Sequence, residues 1–333
     1  MLTIGALSLP GAVVMAPMAG VGGAVFRQVA REQGACMVVT PLVSAEGLVR
    51  ADAKSLIMAT ARPEEQPCAV QIFGDSPDVM AAAARILTAR GARLIDINAG
   101  CPSKRILAGR AGVHLMRDRE RLYAIAAAVV EAVSTPVTLK TRVGWSTHEV
   151  LLVPVVRAAT RAGISAITVH ARFKADGPSA PARWDLIRTA VQETDVPIVG
   201  NGGIRRAQDA SAMVASTGCA GVMVGRAAVG RPWLLRQCQQ ALSGVPPEPD
   251  PSDEERLLVA RRHIALQATL DPNGHDVHAT AGVLSAYVRG FSHARLLRPL
   301  LLRASSYGEL EQLLRHVAPT RLAEPRPGEG GSV

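Results

Sequence analysis

The sequence predicts an α/β fold: a (β/α)8 TIM barrel followed by a small C-terminal helical domain. The first observation behind this prediction is composition, because 48% of the 333 residues are hydrophobic but only 3% are aromatic. Small aliphatic residues suit a parallel sheet covered by helices, whose strands are buried on both faces. The second observation is periodicity. A short apolar run followed by an amphipathic stretch recurs eight times, which predicts strands alternating with helices around a barrel.

Eight apolar runs are candidates for the barrel strands. Each is brief and rich in branched residues, and the chain between consecutive runs is long enough for a helix. In chain order the runs are AVVMAPM (12–18), ACMVVT (35–40), CAVQIFG (68–74), LIDINAG (94–100), VTLKTRV (137–143), AITVHAR (166–172), PIVGNGG (197–203) and GVMVGR (221–226).

Two of the intervening stretches carry clear helix signals. SPDVMAAAARILTARG (76–91) opens with a Ser-Pro cap and closes on Gly91, and EVLLVPVVRAATRAG (149–163) also ends on a glycine. Pro154 lies early in the second stretch, so we expect that helix to start late or to be kinked.

The chain divides after the barrel. Four prolines fall within GVPPEPDPSD (244–253), which predicts a linker between a barrel at 1–243 and a helical domain at 254–318. That domain shows no strand pattern, and we expect the tail at 319–333 to be disordered. The helical runs of the domain are ERLLVARRHIALQATL (255–270) and GELEQLLRHV (308–317).

Charge favours an anionic partner. The formal net charge is +9 and the pI is about 9.9, which suits nucleic-acid binding without identifying it. No apolar run reaches the roughly 18 residues that would span a bilayer. The first basic residue is Arg27, and Pro10-Gly11 interrupts the apolar N-terminal stretch. We therefore expect no signal peptide, no membrane association and a cytoplasmic protein.

The cysteines show no metal-ligand spacing. Their number is odd and they are scattered, so we expect neither a metal site nor a disulfide framework. They are Cys36, Cys68, Cys101, Cys219 and Cys238.

Polar residues end the apolar runs, where a barrel carries its active site. A buried strand has no structural need for Lys or His at its end. One such residue is usually a solvated loop residue, but several at matching strand ends indicate a site. They are Gln71, Asn98, Cys101, Lys140, Arg142, His170, Arg172, Asn201, Gly225 and Arg226.

The last two runs also end in glycine, in VGNGGI (199–204) and VGRAAVG (224–230). Glycines allow backbone N–H groups to approach a phosphate closely, and barrels often bind phosphate with the loops after strands seven and eight. This pattern predicts a phosphorylated cofactor or substrate, and the alternative is that the glycines only form tight turns.

Seven motifs together resemble the tRNA-dihydrouridine synthase family, in its bacterial, DusB-like (NifR3-like) subgroup. They follow the family's order and spacing over about residues 3–242, and DINxGCPxK is the most specific of them. The motifs are APMAGVGGAVFR (16–27), QIFGDSP (71–77), DINAGCPSKR (96–105), VTLKTRVGW (137–145), TVHAR (168–172), IVGNGGI (198–204) and GVMVGRAAVGRPWL (221–234).

The resemblance implies FMN over the barrel mouth, reduced by NADPH or NADH. Lys140 would lie near the flavin N1/O2 edge, where its charge would stabilise the reduced ring. His170 would face the ring, and Asn98 would bond the flavin or the substrate. The other cofactor contacts that it implies are Pro17, Met18, Ala19 and Gln71 for the ring, and Asn201, Gly202, Gly203, Gly225 and Arg226 for the phosphate.

The resemblance also implies reduction of the C5=C6 bond of specific uridines in tRNA. Hydride would pass from flavin N5 to C6, and Cys101 would give a proton to C5 as the general acid. We expect a monomer whose barrel mouth contacts the RNA. The residues expected to do so are Lys104, Arg105, Arg142 and Arg172.

One position of the barrel and one segment of the helical domain depart from the family pattern. Gly203 stands where an Asp is common, and Ala281, Gly282 and Val283 stand where the helical domain normally carries positive side chains that grip RNA. RNA binding is therefore expected to depend on other arginines of that domain. These are Arg261, Arg262, Arg289, Arg295, Arg298 and Arg303.

Two other functions remain open. One is an FMN barrel acting on another RNA or on a free pyrimidine, as dihydroorotate dehydrogenase does, although those enzymes tend to carry a Cys-Pro-Asn turn where this chain has Cys101-Pro102-Ser103. The other is a non-catalytic RNA-binding factor, which would explain the charge but not Lys140 and His170 at strand ends.

Overall fold

A computed structural model of the protein describes residues 1–177 and 179–316. The chain forms two compact units that divide between Pro249 and Asp250, inside the segment predicted as a linker. The tail at 319–333 and the last two residues of the predicted helical domain lie outside the described residues.

Eight parallel strands form a closed barrel, which confirms the predicted fold class. Every predicted run contains one strand, each strand pairs with the next, and the last pairs with the first. The strands are β1 (Val13–Met15), β2 (Met37–Val39), β3 (Cys68–Phe73), β4 (Ile95–Ala99), β5 (Val137–Arg142), β6 (Ala166–His170), β7 (Ile198–Asn201) and β8 (Gly221–Val224).

The helices of this unit begin and end near the predicted signals. Ser76 precedes α4 with Pro77 as its first residue, and α7 starts at Leu152 rather than at 149, as the early Pro154 led us to expect. The helices are α1 (Ala24–Glu32), α2 (Ala45–Val49), α3 (Ala53–Met58), α4 (Pro77–Ala89), α5 (Lys104–Ala108), α6 (Arg119–Ala132), α7 (Leu152–Arg161), α8 (Trp184–Gln192), α9 (Ala207–Thr217) and α10 (Leu234–Leu242).

Parallel register places the polar residues of neighbouring strands side by side. Gln71 of β3 is in register with Asp96 of β4, and Asp96 is in register with Thr138 of β5. Two residues further along, Asn98 is in register with Lys140. Side chains two apart on a strand share a face, so both layers point the same way. The register therefore assembles polar groups that lie far apart in the sequence.

Three short strand elements were not predicted. An antiparallel hairpin joins Leu2–Ile4 to Leu7–Leu9, a second joins Gly144–Ser146 to Glu149–Val150, and Val43–Ser44 extends the sheet beside β3. The first hairpin has two apolar residues in each three-residue strand, too few for a periodic signal. Tertiary burial stabilises it, since Leu2, Ile4 and Leu9 are each 1% exposed within one apolar cluster of the barrel.

The second unit is helical in its described part. A capping box starts its first helix, because the Ser252 hydroxyl accepts from the Glu255 N–H while the Glu255 carboxylate accepts from the Ser252 N–H. That helix begins at Asp253, the last residue of the predicted linker. Its helices are α11 (Asp253–Leu270), α12 (Val277–Tyr287), α13 (Ala294–Arg303) and α14 (Tyr307–Arg315). Among the residues described, no helix has both the length and the apolar character to cross a membrane.

Candidate active site

A cavity of about 680 Å³ opens at the carboxyl ends of the barrel strands, and the end of each of the eight strands contributes to its wall. Fifteen of the predicted site residues line it. They are Pro17, Met18, Ala19, Gln71, Asn98, Cys101, Lys140, Arg142, His170, Arg172, Asn201, Gly202, Gly203, Gly225 and Arg226. Lys104 and Arg105 do not line it, since both are exposed on α5, the short helix that follows the Cys101 turn.

The Cys101 turn is held on several sides. Asn98 Oδ1 accepts hydrogen bonds from the backbone N–H groups of Gly100 (3.2 Å) and Cys101 (3.0 Å). Arg142 Nε donates to the Gly100 carbonyl at 2.9 Å, and the Val113 N–H donates to the Cys101 carbonyl at 3.1 Å. The other four cysteines are buried, whereas Cys101 is half-buried in the cavity wall. Its thiol is therefore fixed in place and open to a ligand.

Lys140 lies in the cavity wall and is half-buried. Its Nζ donates to Asn201 Oδ1 at 3.3 Å, and the Asn201 amide is oriented by donation to the Met223 carbonyl at 2.7 Å. Burial, and then the positive charge of Arg142, lower the pKa of Lys140 to about 8, while the Asp96 carboxylate acts in the opposite direction. Near pH 8 the ammonium group can therefore lose its proton within the cavity.

His170 is neutral at physiological pH. Burial lowers its pKa to about 2, with further contributions from Lys140, Arg142, Arg172 and Arg226. Its Nε2 lies 3.4 Å from an Arg172 guanidinium nitrogen, which can only donate. Nε2 therefore acts as the acceptor in that contact, and Nδ1 carries the proton.

The two glycines after β7 are required by backbone conformation. Gly202 has φ = 108° and Gly203 has φ = 88°, values that side chains rarely permit. A Cβ at Gly203 would also lie 3.1 Å from the Ala182 Cβ and 3.2 Å from the Trp184 indole nitrogen. A side chain at position 203 would therefore require Ala182 or Trp184 to shift.

The cavity wall is strongly cationic. Among the residues that the structure describes, five basic residues and no acidic residue line it, so it favours an anionic ligand. Arg142 also donates to the Phe173 carbonyl at 3.0 Å, and Arg172 donates to the Ala180 carbonyl at 2.7 Å. Burial and then neighbouring arginines lower the pKa of both guanidinium groups, which nevertheless stay charged near neutral pH.

Sequence reasoning missed part of the wall and the layer beneath it. Of these residues, Arg205 could most readily have been predicted, because it follows the glycine-rich segment at the end of β7. Asp96 and Thr138 lie under the wall and share the strand face of Asn98 and Lys140, so period-two alternation pointed to them. The remaining missed lining residues are Ala16, Leu42, Gly100, Pro102, Ser179, Ile204, Met223 and Ala227.

Comparison with known proteins gives matches over most of the chain. The dihydrouridine synthase (Dus) family matches residues 14–322. The tRNA-dihydrouridine synthase B of Pseudomonas putida is 35% identical over 318 residues, covering 88% of this chain and 94% of that protein. The enzyme of that name from Pseudomonas aeruginosa is 38% identical over 296 residues, covering 83% and 89%. That from Proteus vulgaris is 40% identical over 241 residues, covering 72% and 75%.

Solved structures agree on the barrel architecture. Histamine dehydrogenase from Rhizobium sp. 4-9 has a TM-score of 0.57 at 13% identity, covering 80% of this chain and 50% of that one. Morphinone reductase in complex with tetrahydroNAD has a TM-score of 0.51 at 14% identity, covering 74% and 92%. At this identity the likeness shows the fold alone.

Proposed function

The chain belongs to the dihydrouridine synthase family, and from that premise we propose that it is an FMN-dependent tRNA-dihydrouridine synthase. In this proposal NADPH or NADH is the reductant, and the product is the 5,6-dihydro form of specific uridines in tRNA. The observation that supports it most is one cavity whose wall combines five basic residues with a half-buried cysteine.

FMN fits the residues of the cavity. Gly202 and Gly203, at positive φ, present backbone without side chains to the cavity, and Arg226 brings a positive charge to its wall. Pro17, Met18 and Ala19 offer a largely apolar wall for a flat ring. Gln71, Asn98, Lys140, His170, Asn201 and Gly225 complete the proposed contacts. When bound, FMN would supply the hydride that reduces C6 of the uracil ring.

Cys101 is the proposed proton donor to uracil C5. Its backbone is fixed by Asn98 and Arg142, so the thiol can be presented to a ring in the cavity in one orientation. Arg142 and Arg172, each anchored to a backbone carbonyl, would stabilise negative charge that develops on the uracil edge. His170 is neutral at pH 7 and would not compete as the acid, because its pKa is about 2.

We propose tRNA as the substrate that carries the uridine. The uridine must leave its base stack to enter the cavity, at a cost of a few kcal/mol, and contacts to phosphates can compensate for this. Lys104 and Arg105 are exposed on α5 beside the Cys101 turn. In the described part of the helical unit, the exposed arginines are Arg262, Arg289, Arg295, Arg298, Arg303 and Arg315.

The purified full chain tests the proposal directly. We expect absorbance near 450 nm, a general flavin property, release of FMN on denaturation, and flavin reduction by NADPH or NADH. RNA from a strain lacking the gene should gain dihydrouridine when incubated with the protein. A protein that binds no FMN would contradict the cofactor. A reduced flavin that reacts with free uracil or orotate but not with RNA would contradict the substrate.

A further inference from the structure

We propose that Asp96, a residue beneath the cavity wall, positions the Cys101 turn through a directed chain of hydrogen bonds. The inference rests on the proposed function, in which Cys101 is the proton donor, and it concerns what fixes that donor in place. Asp96 is a positioning residue in this scheme, because it acts through Gln71 and Asn98.

The chain of bonds runs across two strands. Gln71 Nε2 donates to Asp96 Oδ2 at 2.6 Å, and Asn98 Nδ2 donates to Gln71 Oε1 at 2.9 Å. Asn98 Oδ1 then accepts from the N–H groups of Gly100 and Cys101 at 3.2 and 3.0 Å. Gln71, Asp96 and Asn98 are each at most 6% exposed, so water does not offer them alternative partners.

Asp96 sets the donor-to-acceptor direction of this chain of hydrogen bonds. A side-chain amide has a donor end and an acceptor end, whereas a carboxylate only accepts. Because Asp96 takes the NH₂ group of Gln71, the Gln71 oxygen must face Asn98. Asn98 must then turn its own NH₂ group towards Gln71 and its oxygen towards the Cys101 turn. If the Gln71 amide were reversed, its NH₂ group would face the NH₂ group of Asn98. Asn98 would then have to turn its oxygen towards Gln71, and the N–H groups of the Cys101 turn would lose their acceptor.

Burial of Asp96 has no evident structural benefit to the strand. It lies between Ile95 and Ile97, and it is 4% exposed. Burial raises the pKa of Asp96, an effect that is opposed by the Gln71 bond, by a 2.6 Å bond from Thr138 Oγ1 and by the charge of Lys140. A buried carboxyl group is unfavourable unless its partners compensate. Asp96 therefore contributes through the groups that it orients, Gln71 above all.

The two faces of the turn are held differently. Arg142 and Val113 hold the carbonyl groups of Gly100 and Cys101, while Asn98 accepts from their N–H groups. Loss of the oriented Asn98 oxygen would leave the turn attached by its carbonyl groups. The thiol would then sample several positions instead of one, which slows proton transfer without removing the acid.

Replacement of Asp96 by Leu and by Asn distinguishes two properties of this side chain, its ability to accept a hydrogen bond from Gln71 and its negative charge. Asp96→Leu keeps the size of the side chain but removes the acceptor. Asp96→Asn removes the charge, yet its Oδ1 can still accept from Gln71. Its Nδ2 can donate to Thr138, whose hydroxyl can turn to the Ile95 carbonyl at 3.4 Å. Hydrogen exchange at the Gly100 and Cys101 amides of the full-length protein reports the turn, and single-turnover oxidation of prereduced flavin by RNA reports the acid.

We expect Asp96→Leu to speed exchange at both amides and to slow the RNA-dependent step, each by about tenfold, the scale of one lost hydrogen bond. Asp96→Asn should stay within about twofold of the wild type in both measurements. If Asp96→Asn behaved like Asp96→Leu, the charge beside Lys140 would be the relevant property and the inference would be wrong. Unchanged amide exchange in Asp96→Leu would also overturn it.

Two provisions keep the test decisive. If Asp96→Leu does not fold, Gln71→Met removes the residue between Asp96 and Asn98 in the chain of hydrogen bonds with little change of volume. It must give the same faster exchange at the Gly100 and Cys101 amides. Unchanged exchange in this variant would refute the chain of bonds. Amide exchange can be measured on wild type and variants at matched flavin content, whether or not the protein binds flavin or RNA. A protein without either activity would therefore refute the proposed function, while the exchange data would still decide the role of Asp96.

Discussion

The barrel mouth and the helical unit use buried polar groups in opposite ways. In the barrel, Gln71, Asp96 and Asn98 bond to one another across strands. In the described part of the helical unit, the buried hydroxyl groups of Thr280 and Ser285 donate to carbonyls four residues earlier in their own helix. A bond within one helix turn stabilises local structure, whereas a bond between distant strands fixes one arrangement of the whole site.

The same difference applies to the arginines. Arg142 and Arg172 of the cavity wall are anchored to backbone carbonyls, so their charges have defined positions. In the helical unit, Arg289 and Arg295 are exposed. Fixed charges can stabilise a developing charge at one atom, while exposed charges on a helix attract a polyanion through its overall field. The barrel is therefore suited to chemistry, and the helical unit to electrostatic attraction.

Replacement of Cys101 should have the largest effect. Cys101→Ala removes the proposed acid, so RNA-dependent oxidation of prereduced flavin should slow by roughly 10²-fold or more. FMN content and NADPH-driven flavin reduction should not change, because the turn keeps its backbone bonds. Cys36→Ala, at a buried cysteine away from the cavity, is the matched control. A normal rate in Cys101→Ala would mean that another group protonates C5, and the barrel mouth would lose its assigned chemistry.

His263 is a buried titratable group of the helical unit and should give the next largest effect. Burial lowers its pKa to about 4 from an ordinary 6.5. The folded state thus binds the proton less well than the unfolded state, so stability is complete above pH 6.5 and is lost as the pH falls towards 4. At pH 5 the loss should be about 2 kcal/mol, roughly thirtyfold in the unfolding equilibrium.

Hydrogen exchange in α11 as a function of pH measures this loss. His263→Gln should remove most of the pH dependence, whereas His278→Gln, at an exposed position of α12, should leave it unchanged. If both variants retained the wild-type profile, a different group would be responsible.

Reversal of surface charge in the helical unit should have the smallest effect. Arg289→Glu combined with Arg295→Glu should weaken tRNA binding by about tenfold. It should also make the binding constant K less sensitive to salt, because log K falls by roughly 0.7–0.9 for each neutralised phosphate per unit of log[salt]. Flavin content should not change. The matched control replaces both arginines by Lys, which keeps the charge and should keep the affinity. Filter binding at several salt concentrations decides the matter, and reversed variants with unchanged affinity would show that this unit does not hold RNA.

Two of the three positions that depart from the family's basic signature, Ala281 and Val283, are buried. Ala281 and Val283 are 0% and 5% exposed, because α12 is largely buried within the helical unit. Charged side chains at these two positions would be removed from solvent at a high cost. The sequence showed that the charges were absent, but burial explains why charged residues do not fit there.

Prediction from sequence worked well where local pattern and chemistry coincide. All eight barrel strands lie within predicted runs, because a strand buried on both faces produces a continuous apolar signal. Of the fifteen predicted residues that line the cavity, twelve were located by their position at the ends of those runs. Pro17, Met18 and Ala19 were predicted from the family resemblance instead. The hairpin of Leu2–Ile4 and Leu7–Leu9 was missed, since three-residue strands carry no such signal and depend on burial against the barrel.

The sequence by itself determined the barrel, its family and the identity of the residues at its mouth. These depend on period, composition and motifs, which are properties of short segments. The tertiary structure decided which groups touch and in what state. Strand register brings Gln71 and Thr138 to Asp96 from positions that are 25 and 42 residues away in the sequence. Burial among cations lowers the pKa of His170 to about 2. Hydrogen-bond direction and desolvation are set by neighbours that are distant in the chain, so no local pattern could have supplied them.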